Sequence, residues 1–322
     1  MKTRLLTSLI FIFVLALAFI LKVYVSNYFF DALILFIACY SAYETSKIFS
    51  KMGRYNNKII ATIFPIFLMI IALIGIAYDY TIGVLFTVVM EVGVIVLFFG
   101  VTFLTNLIDK KTNIELKTRQ MDKQYSKSKY SLLKALNTSV IFIYPSFLIL
   151  FLSFINHFEE LTTSFPVMGE FNGMLSLFIL LFAFLIPIFT DTFAYITGGL
   201  IGGKKLAPKI SPKKTISGAI GGFLWCILLS VAVYFIFTSI PSISVVLTDA
   251  GITVWKLIII VAIGSIISQA GDLFESYLKR SADVKDSGNI LPGHGGMLDR
   301  FDSYMFLVPF LFIAFSILFA VL

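Results

Sequence analysis

The stretch from Asp272 to Asp302 concentrates the residue types that could do chemistry. Asp272 and Glu275, with Ser276 and Lys279, follow the spacings of three, four and seven that place side chains on one face of a helix. Asp299 and Asp302 are likewise one helical turn apart. Between them lie Arg280, Lys285 and Asp286, then the turn-forming run Pro292-Gly293-His294-Gly295-Gly296, and Arg300 follows. Hard carboxylate oxygens suit Mg²⁺, which binds through one or two carboxylates, keeps several waters and shares substrate phosphates. Lys and Arg neutralise those phosphates. The combination describes a nucleotide site. A plainer alternative pairs Asp272 and Glu275 with Lys279 and Arg280, and Asp299 with Arg300, as interfacial ion pairs. It accounts for any one carboxylate, but less well for the whole set beside a glycine-rich turn.

A second polar segment runs from Thr190-Asp191-Thr192 through Gly198-Gly199-Leu200-Ile201-Gly202-Gly203 to Ser211-Pro212-Lys213-Lys214-Thr215. A helix entering the membrane near Asn172 and rising about 1.5 Å per residue reaches Asp191 after roughly 28 Å, so this carboxylate sits at the mouth of the span. Lys213, Lys214, Thr215 and Ser217 can meet phosphate oxygens. Glycines between membrane helices serve tight turns and packing more often than ligands, so this segment is the weaker signal.

These groups must be held by a membrane protein, because 59% of the residues are hydrophobic and only 13% charged. Nine runs can each cross hydrocarbon about 30 Å thick, near 5–21, 28–47, 59–78, 81–104, 136–156, 172–190, 217–240, 253–271 and 303–321. The second is the weakest, since Asp31 and Glu44 fall inside it. The runs are apolar all round rather than alternating, which predicts helices and excludes a barrel. The expected fold is all-α: a polytopic integral membrane protein of about nine transmembrane helices. Residues 1–135 supply N-terminal helices and a basic loop, residues 136–322 carry the chemistry, and the two form one structural unit. Cys39 and Cys226 fall inside predicted spans and carry no disulfide or zinc signal.

Nine crossings put alternate loops on opposite sides, and all but Lys22 and Lys256 of the 25 basic residues then share one side. Short cytoplasmic loops hold Lys and Arg, so the N-terminus reads as cytoplasmic and the C-terminus as outside. Lys2 and Arg4 before an apolar run also resemble a secretory signal, but the run continues directly into further spans. The net charge of +7 is thus a basic cytoplasmic face. The loop 106–136 fits anionic headgroups, and no motif points to nucleic acid. Glu91 falls mid-span, where a protonated or hydrogen-bonded carboxyl is expected.

From Ser276 to Asp302 the chain resembles the signature of the phosphatidate cytidylyltransferase (CDP-diacylglycerol synthase) family. Its elements are Ser276, Leu278, Lys279-Arg280, Lys285-Asp286, Ser287, Leu291 through Gly296, Asp299-Arg300 and Asp302. Residues 190–215 also resemble the family's Asp-Thr-x-Ala-Tyr and Ser-Pro-Lys-Lys-Thr segments. The N-terminal half agrees only in being helical and membrane-bound. The resemblance implies cytidylyl transfer from CTP to phosphatidic acid, with release of pyrophosphate, at the cytoplasmic membrane. It implies Asp272 and Asp299 as first-ranked Mg²⁺ ligands, with Asp191, Glu275, Asp286 and Asp302 next, and a monovalent cation such as K⁺ beside them. Lys279, Arg280, Lys285 and Arg300 would neutralise the triphosphate or the lipid phosphate, with Lys213, Lys214 and Thr215 gripping one of them. Ser276, His294, Gly295 and Gly296 would lie against the nucleotide. A homodimer is compatible with such an interfacial site, though no motif establishes it.

Two positions depart from the family pattern. Ser217 stands where an acidic residue is usual, and Gly199 where a basic one is usual. Two other readings remain: a CTP-dependent enzyme acting on another membrane lipid, such as a polyprenol kinase or an archaeal-type lipid cytidylyltransferase, and a transporter. Transporters bind near the bilayer midplane, whereas these polar clusters lie at one interface.

Overall fold

Hydrocarbon offers backbone N–H and C=O groups no partner, so each long apolar run closes its own hydrogen bonds as a helix. The computed structural model describes residues 2–78, 83–108, 126–162 and 173–320. Four helices come first, α1 (Lys2–Tyr24), α2 (Asn27–Lys51), α3 (Lys58–Tyr78) and α4 (Gly83–Ile108). Next, α5 (Lys127–Ile141) passes through a π-helical turn, Phe142–Phe147, into α6 (Leu148–Asn156), and short α7 (Phe158–Thr162) follows. Pro145 has no N–H to offer, and Tyr144 before it leaves helical geometry at φ −115°, ψ 114°. Then come α8 (Met174–Ile201), strands β1 (Lys205–Ala207) and β2 (Ser211–Thr215), α9 (Ile216–Thr238) and α10 (Pro241–Asp249). The chain closes with α11 (Val254–Ser281), α12 (Leu298–Phe301) and α13 (Tyr304–Ala320).

Among the described residues, eight runs are long and apolar enough to cross a membrane: α2, α3, α4, α5 with α6, α8, α9, α11, and α12 with α13. The protein is therefore an all-α, multi-pass membrane protein. Helix α1 is continuous over Lys2–Tyr24, and Leu9–Tyr24 is its shorter apolar part. The fifth run begins earlier than its hydropathy predicts, at Lys127, where Ser126 accepts from the Lys129 N–H and caps the helix. An antiparallel hairpin pairing Lys205 with Thr215 is an addition the apolar pattern does not announce. Lys110, Lys111, Lys117, Arg119 and Lys123 of the basic loop lie outside the described residues.

Packing between helices in lipid depends on close approach and interhelical hydrogen bonds, and the closest glycine-mediated approaches lie where α8, α9, α11 and α13 meet. A Cβ on Gly218 of α9 would lie 2.6 Å from the Ala194 carbonyl of α8, and one on Gly222 would strike the Thr190 carbonyl. Thr190 and Ser265 share a 2.9 Å hydrogen bond that fixes α8 against α11. A Cβ on Gly271 of α11 would lie 2.7 Å from the Asp302 carbonyl, so only glycine lets α11 approach the start of α13 there. In the N-terminal half, Phe64 of α3 stacks on Phe142 with ring centroids 3.9 Å apart. Thr7 near the start of α1 donates to the Pro292 carbonyl at 2.9 Å. That bond puts the start of α1 at the same end of the molecule as the Pro292–Gly296 turn.

Candidate active site

Three elements bring the acidic residues together. Helix α8 ends its crossing near Asp191, α11 carries Asp272, Glu275, Ser276 and Lys279 on its last three turns, and the α12–α13 junction carries Asp299 and Asp302. The Gly271 contact seats Asp272 beside that junction. Ser303 donates to Asp302 Oδ1 through its N–H at 2.7 Å, and its hydroxyl lies 3.5 Å from Asp191 Oδ2. The hairpin delivers Lys214, whose Nζ lies 2.5 Å from Asp272 Oδ2, and Ser276 Oγ lies 3.4 Å from Asp272 Oδ1. The two polar segments of the sequence thus form one constellation.

Asp299 is the organiser of the signature loop. Its Oδ1 accepts from Lys279 Nζ at 2.7 Å, and its Oδ2 accepts from the Ser287 N–H at 2.9 Å and the Gly296 N–H at 2.7 Å. Lys279 also pairs with Glu275, whose side chain is fully buried. The ion-pair alternative therefore describes part of the site: Glu275 pairs with Lys279 as that reading has it, but Asp299 shares the same lysine and Asp272 takes Lys214. Arg300 and Arg280 bond backbone carbonyls instead, Arg300 to His294 at 2.8 Å and Arg280 to Ile210 and Val284 at 3.2 Å each. The loop folds tightly through Gly293 and Gly295, at φ +79° and +86°, conformations that favour glycine. Within it the His294 N–H donates to the Leu291 carbonyl at 2.8 Å.

Other predicted contacts fall differently. Thr215 is buried and caps α9 by accepting from the Gly218 N–H at 3.1 Å. Lys213, Lys285, Asp286 and Arg300 are exposed. Gly198 packs against Thr215 and Gly218, while Gly202 and Gly203 turn the chain out of α8 at φ +67° and +103°. The glycine run therefore serves packing and turning. Ser217 donates to the Gly202 carbonyl and so ties this turn to α9, whereas a side chain at Gly199 would enter open space.

One residue of the site escaped the sequence argument. Glu44, on α2, is 1% exposed and reaches under the loop, where its Oε2 accepts from Ser287 Oγ at 3.0 Å and from the Leu298 N–H at 2.8 Å. The available signal was a carboxylate inside an apolar run, which is costly unless it has a specific partner. Glu91 is also buried, and neither carboxyl oxygen has a hydrogen-bond partner among the described residues.

Two cavities adjoin the loop. One, of about 530 Å³, is polar and lined by Lys285, Asp286, Asn289, His294, Gly295 and Arg300 among others. Its neighbour, of about 340 Å³, also touches His294 and Arg300; it has Asp191 and Asp302 at its polar end and Phe11, Leu15, Phe184 and Ile188 along an apolar wall. Among the described residues no three His, Cys, Asp or Glu side chains are arranged to enclose an ion. Carboxylates opening on a cavity still fit a hard cation that completes its shell with phosphate oxygens and water.

A sequence model of the cytidylyltransferase family matches residues 2–318. A protein named phosphatidate cytidylyltransferase from Staphylococcus saprophyticus is 50% identical over 132 residues, which cover 41% of this chain and 46% of that protein. Proteins of the same name from Staphylococcus haemolyticus and Staphylococcus aureus are each 49% identical over 132 residues, with the same coverage. The matched stretch spans less than half the length of these curated relatives. The family match runs nearly end to end and includes the loop, the acidic helix ends and the hairpin lysines, and on that basis the chain belongs to the cytidylyltransferase family.

Proposed function

We propose that the protein transfers a cytidylyl group from CTP to phosphatidic acid, forming CDP-diacylglycerol and pyrophosphate at the cytoplasmic face of the cell membrane. The observation that carries this reading is the pair of adjoining cavities. A polar one rimmed by exposed cations suits a triphosphate, an apolar-walled one suits acyl chains, and His294 and Arg300 border both. A water-soluble nucleotide and a bilayer lipid could meet there without either leaving its own solvent. The names of the staphylococcal relatives point the same way.

In this reading a phosphatidate oxygen bonds to the α-phosphorus of CTP as the bond from that phosphorus to the bridging oxygen of pyrophosphate breaks. A phosphate monoester is already anionic near neutral pH, so no side chain need remove a proton. The barrier is charge repulsion and positioning, which Lys285, Arg300, Lys213 and Lys214 relieve by approaching phosphate oxygens. Asp191 and Asp302 would hold Mg²⁺, with Asp272 joining once Lys214 turns to a phosphate. The chemistry such an ion supplies is neutralisation of the triphosphate. Asp299 and Lys279 keep the loop in shape.

The test is conversion of radiolabelled CTP by purified protein in detergent with phosphatidic acid, with and without Mg²⁺. A labelled CDP-lipid that requires both is expected. Folded protein that binds CTP but makes no product from phosphatidic acid, and does modify a polyprenol, would overturn the lipid assignment.

A further inference from the structure

We infer that Glu44, contributed by the N-terminal half, is a positioning residue that sets the shape of the nucleotide-binding loop between Ser287 and Leu298. The inference rests on the reading of that loop given above, and it extends the site to a helix that carries none of the signature. Ser287 is the meeting point of two supports: its N–H is held by Asp299 and its hydroxyl by Glu44. The same Glu44 oxygen takes the Leu298 N–H at the far end of the loop. One carboxylate therefore bridges the two ends of the segment that presents His294 and Gly295 to the polar cavity.

The glycines make the fit specific. A Cβ on Gly288 or on Gly296 would collide with the Glu44 carboxylate. Gly296 thus backs onto the Ser287 hydroxyl and the Glu44 carboxylate together while its N–H serves Asp299, so a side chain there would break into the Ser287–Glu44 contact. Glu44 Oε1 is buried without a hydrogen-bond partner among the described residues. A buried carboxyl group with an unmatched oxygen is costly to keep for stability alone, and what it does hold is the loop. Glu44 touches no part of the cavities, so its effect on substrate passes through Ser287 and Leu298.

The experiment measures radiolabelled CTP binding and steady-state kinetics for wild type, Glu44→Ala, Glu44→Gln and Ser287→Ala in full-length protein, with melting temperature as a control. Glu44→Ala is expected to weaken CTP binding and raise KM for CTP at least about tenfold, leaving KM for phosphatidate within about twofold; that scale corresponds to losing one or two hydrogen bonds to a charged or polar acceptor. Glu44→Gln keeps an oxygen for the Leu298 N–H and should recover most of the affinity. If Glu44→Ala fails to fold, Ser287→Ala removes one of the two contacts and should move KM for CTP by about threefold in the same direction. Folded Glu44→Ala with unchanged CTP affinity, equal loss for both substrates, or a Gln variant as damaged as Ala would overturn the inference. Wild-type protein that binds CTP yet makes no CDP-lipid would sink the proposed reaction instead, and CTP binding by the variants would still test Glu44.

Discussion

Helix α2 carries a buried acid towards each end, and the two sit in opposite kinds of surroundings. Asp31, 2% exposed, lies in a cluster at the end of the molecule away from the signature loop. Its Oδ1 accepts from Ser153 Oγ at 2.7 Å and Asn156 Nδ2 at 3.0 Å, and its Oδ2 lies 2.7 Å from His157 Nε2. His157 Nδ1 faces Glu160 at 2.8 Å, Glu160 takes Asn27 at 2.9 Å, and Lys22 bonds Asn27, Asn156 and Ser176. Charges there are matched to one another and clamp α1, α2, α6, α7 and α8 together. Around the signature loop and the acidic helix ends the matching is incomplete: among the described residues Glu275 has only its ion pair with Lys279, Asp191 only a 3.5 Å contact from Ser303, and Lys285 and Arg300 stand on an open rim. Charge in a membrane protein marks a working site where it is left unmatched, and a structural clamp where it is closed.

The largest effect on turnover that separates the two regions is expected from Asp302→Asn. Asparagine keeps the Oδ1 that accepts from the Ser303 N–H, so the fold should hold, while in the proposed reaction the loss of a carboxylate that would hold Mg²⁺ lowers turnover by about 10²–10³-fold. CDP-lipid formation beside an unchanged melting temperature checks it; retention of more than a tenth of the activity would place Asp302 among the matched charges. The largest effect on stability is expected from Lys279→Met. Removing the cation leaves Glu275 and Asp299 buried without their counterion, and destabilisation on the order of 3–5 kcal/mol follows. Adding Glu275→Gln to that variant should return part of the loss. A lone Lys279→Met that melts like wild type would show that this corner is wetter than its burial indicates.

Much of this was legible in sequence because the physics acts locally. Twenty apolar residues in a row have few alternatives to a helix, and the spacing of Asp272, Glu275 and Lys279 survives intact on α11. Which partners those groups choose is a matter of tertiary distance, and there the reading had to be revised: Lys214 arrives on a hairpin to meet Asp272, and Lys279 crosses from α11 to Asp299. Asp31 and Glu44 were visible only as defects in a hydrophobic run. Their lesson is that α2, the least apolar of the eight candidate spans, is poor in hydropathy because both ends are engaged in polar contacts inside the protein. His157, one of two histidines, gave no signal, since its partners Asp31 and Glu160 are brought to it by the fold.

His157 also supplies the smallest of the three effects and the sharpest test of closure. Burial pushes its imidazole towards the neutral form, but bonds to Asp31 and Glu160 outweigh burial and raise its pKa from the ordinary 6.5 to about 9. Both ring nitrogens face carboxylate oxygens, which agrees with a charged ring donating twice. A histidine whose folded pKa exceeds its unfolded value contributes its full stability below pH 6.5 and loses it as pH rises through about 9. The contribution is on the order of 3 kcal/mol at most, from 1.36 kcal/mol per pKa unit. Wild type and His157→Gln should therefore differ most in melting temperature at pH 6 and converge by pH 10. Taking the difference between the two proteins cancels titrations they share, Glu159 among them, whose carboxyl burial holds above its usual range. A gap that stays constant across that range would mean the ring is neutral and held by shape alone. In that case the outer cluster would retain its packing, but its charges would no longer be the matched counterpart of the open ones around the loop.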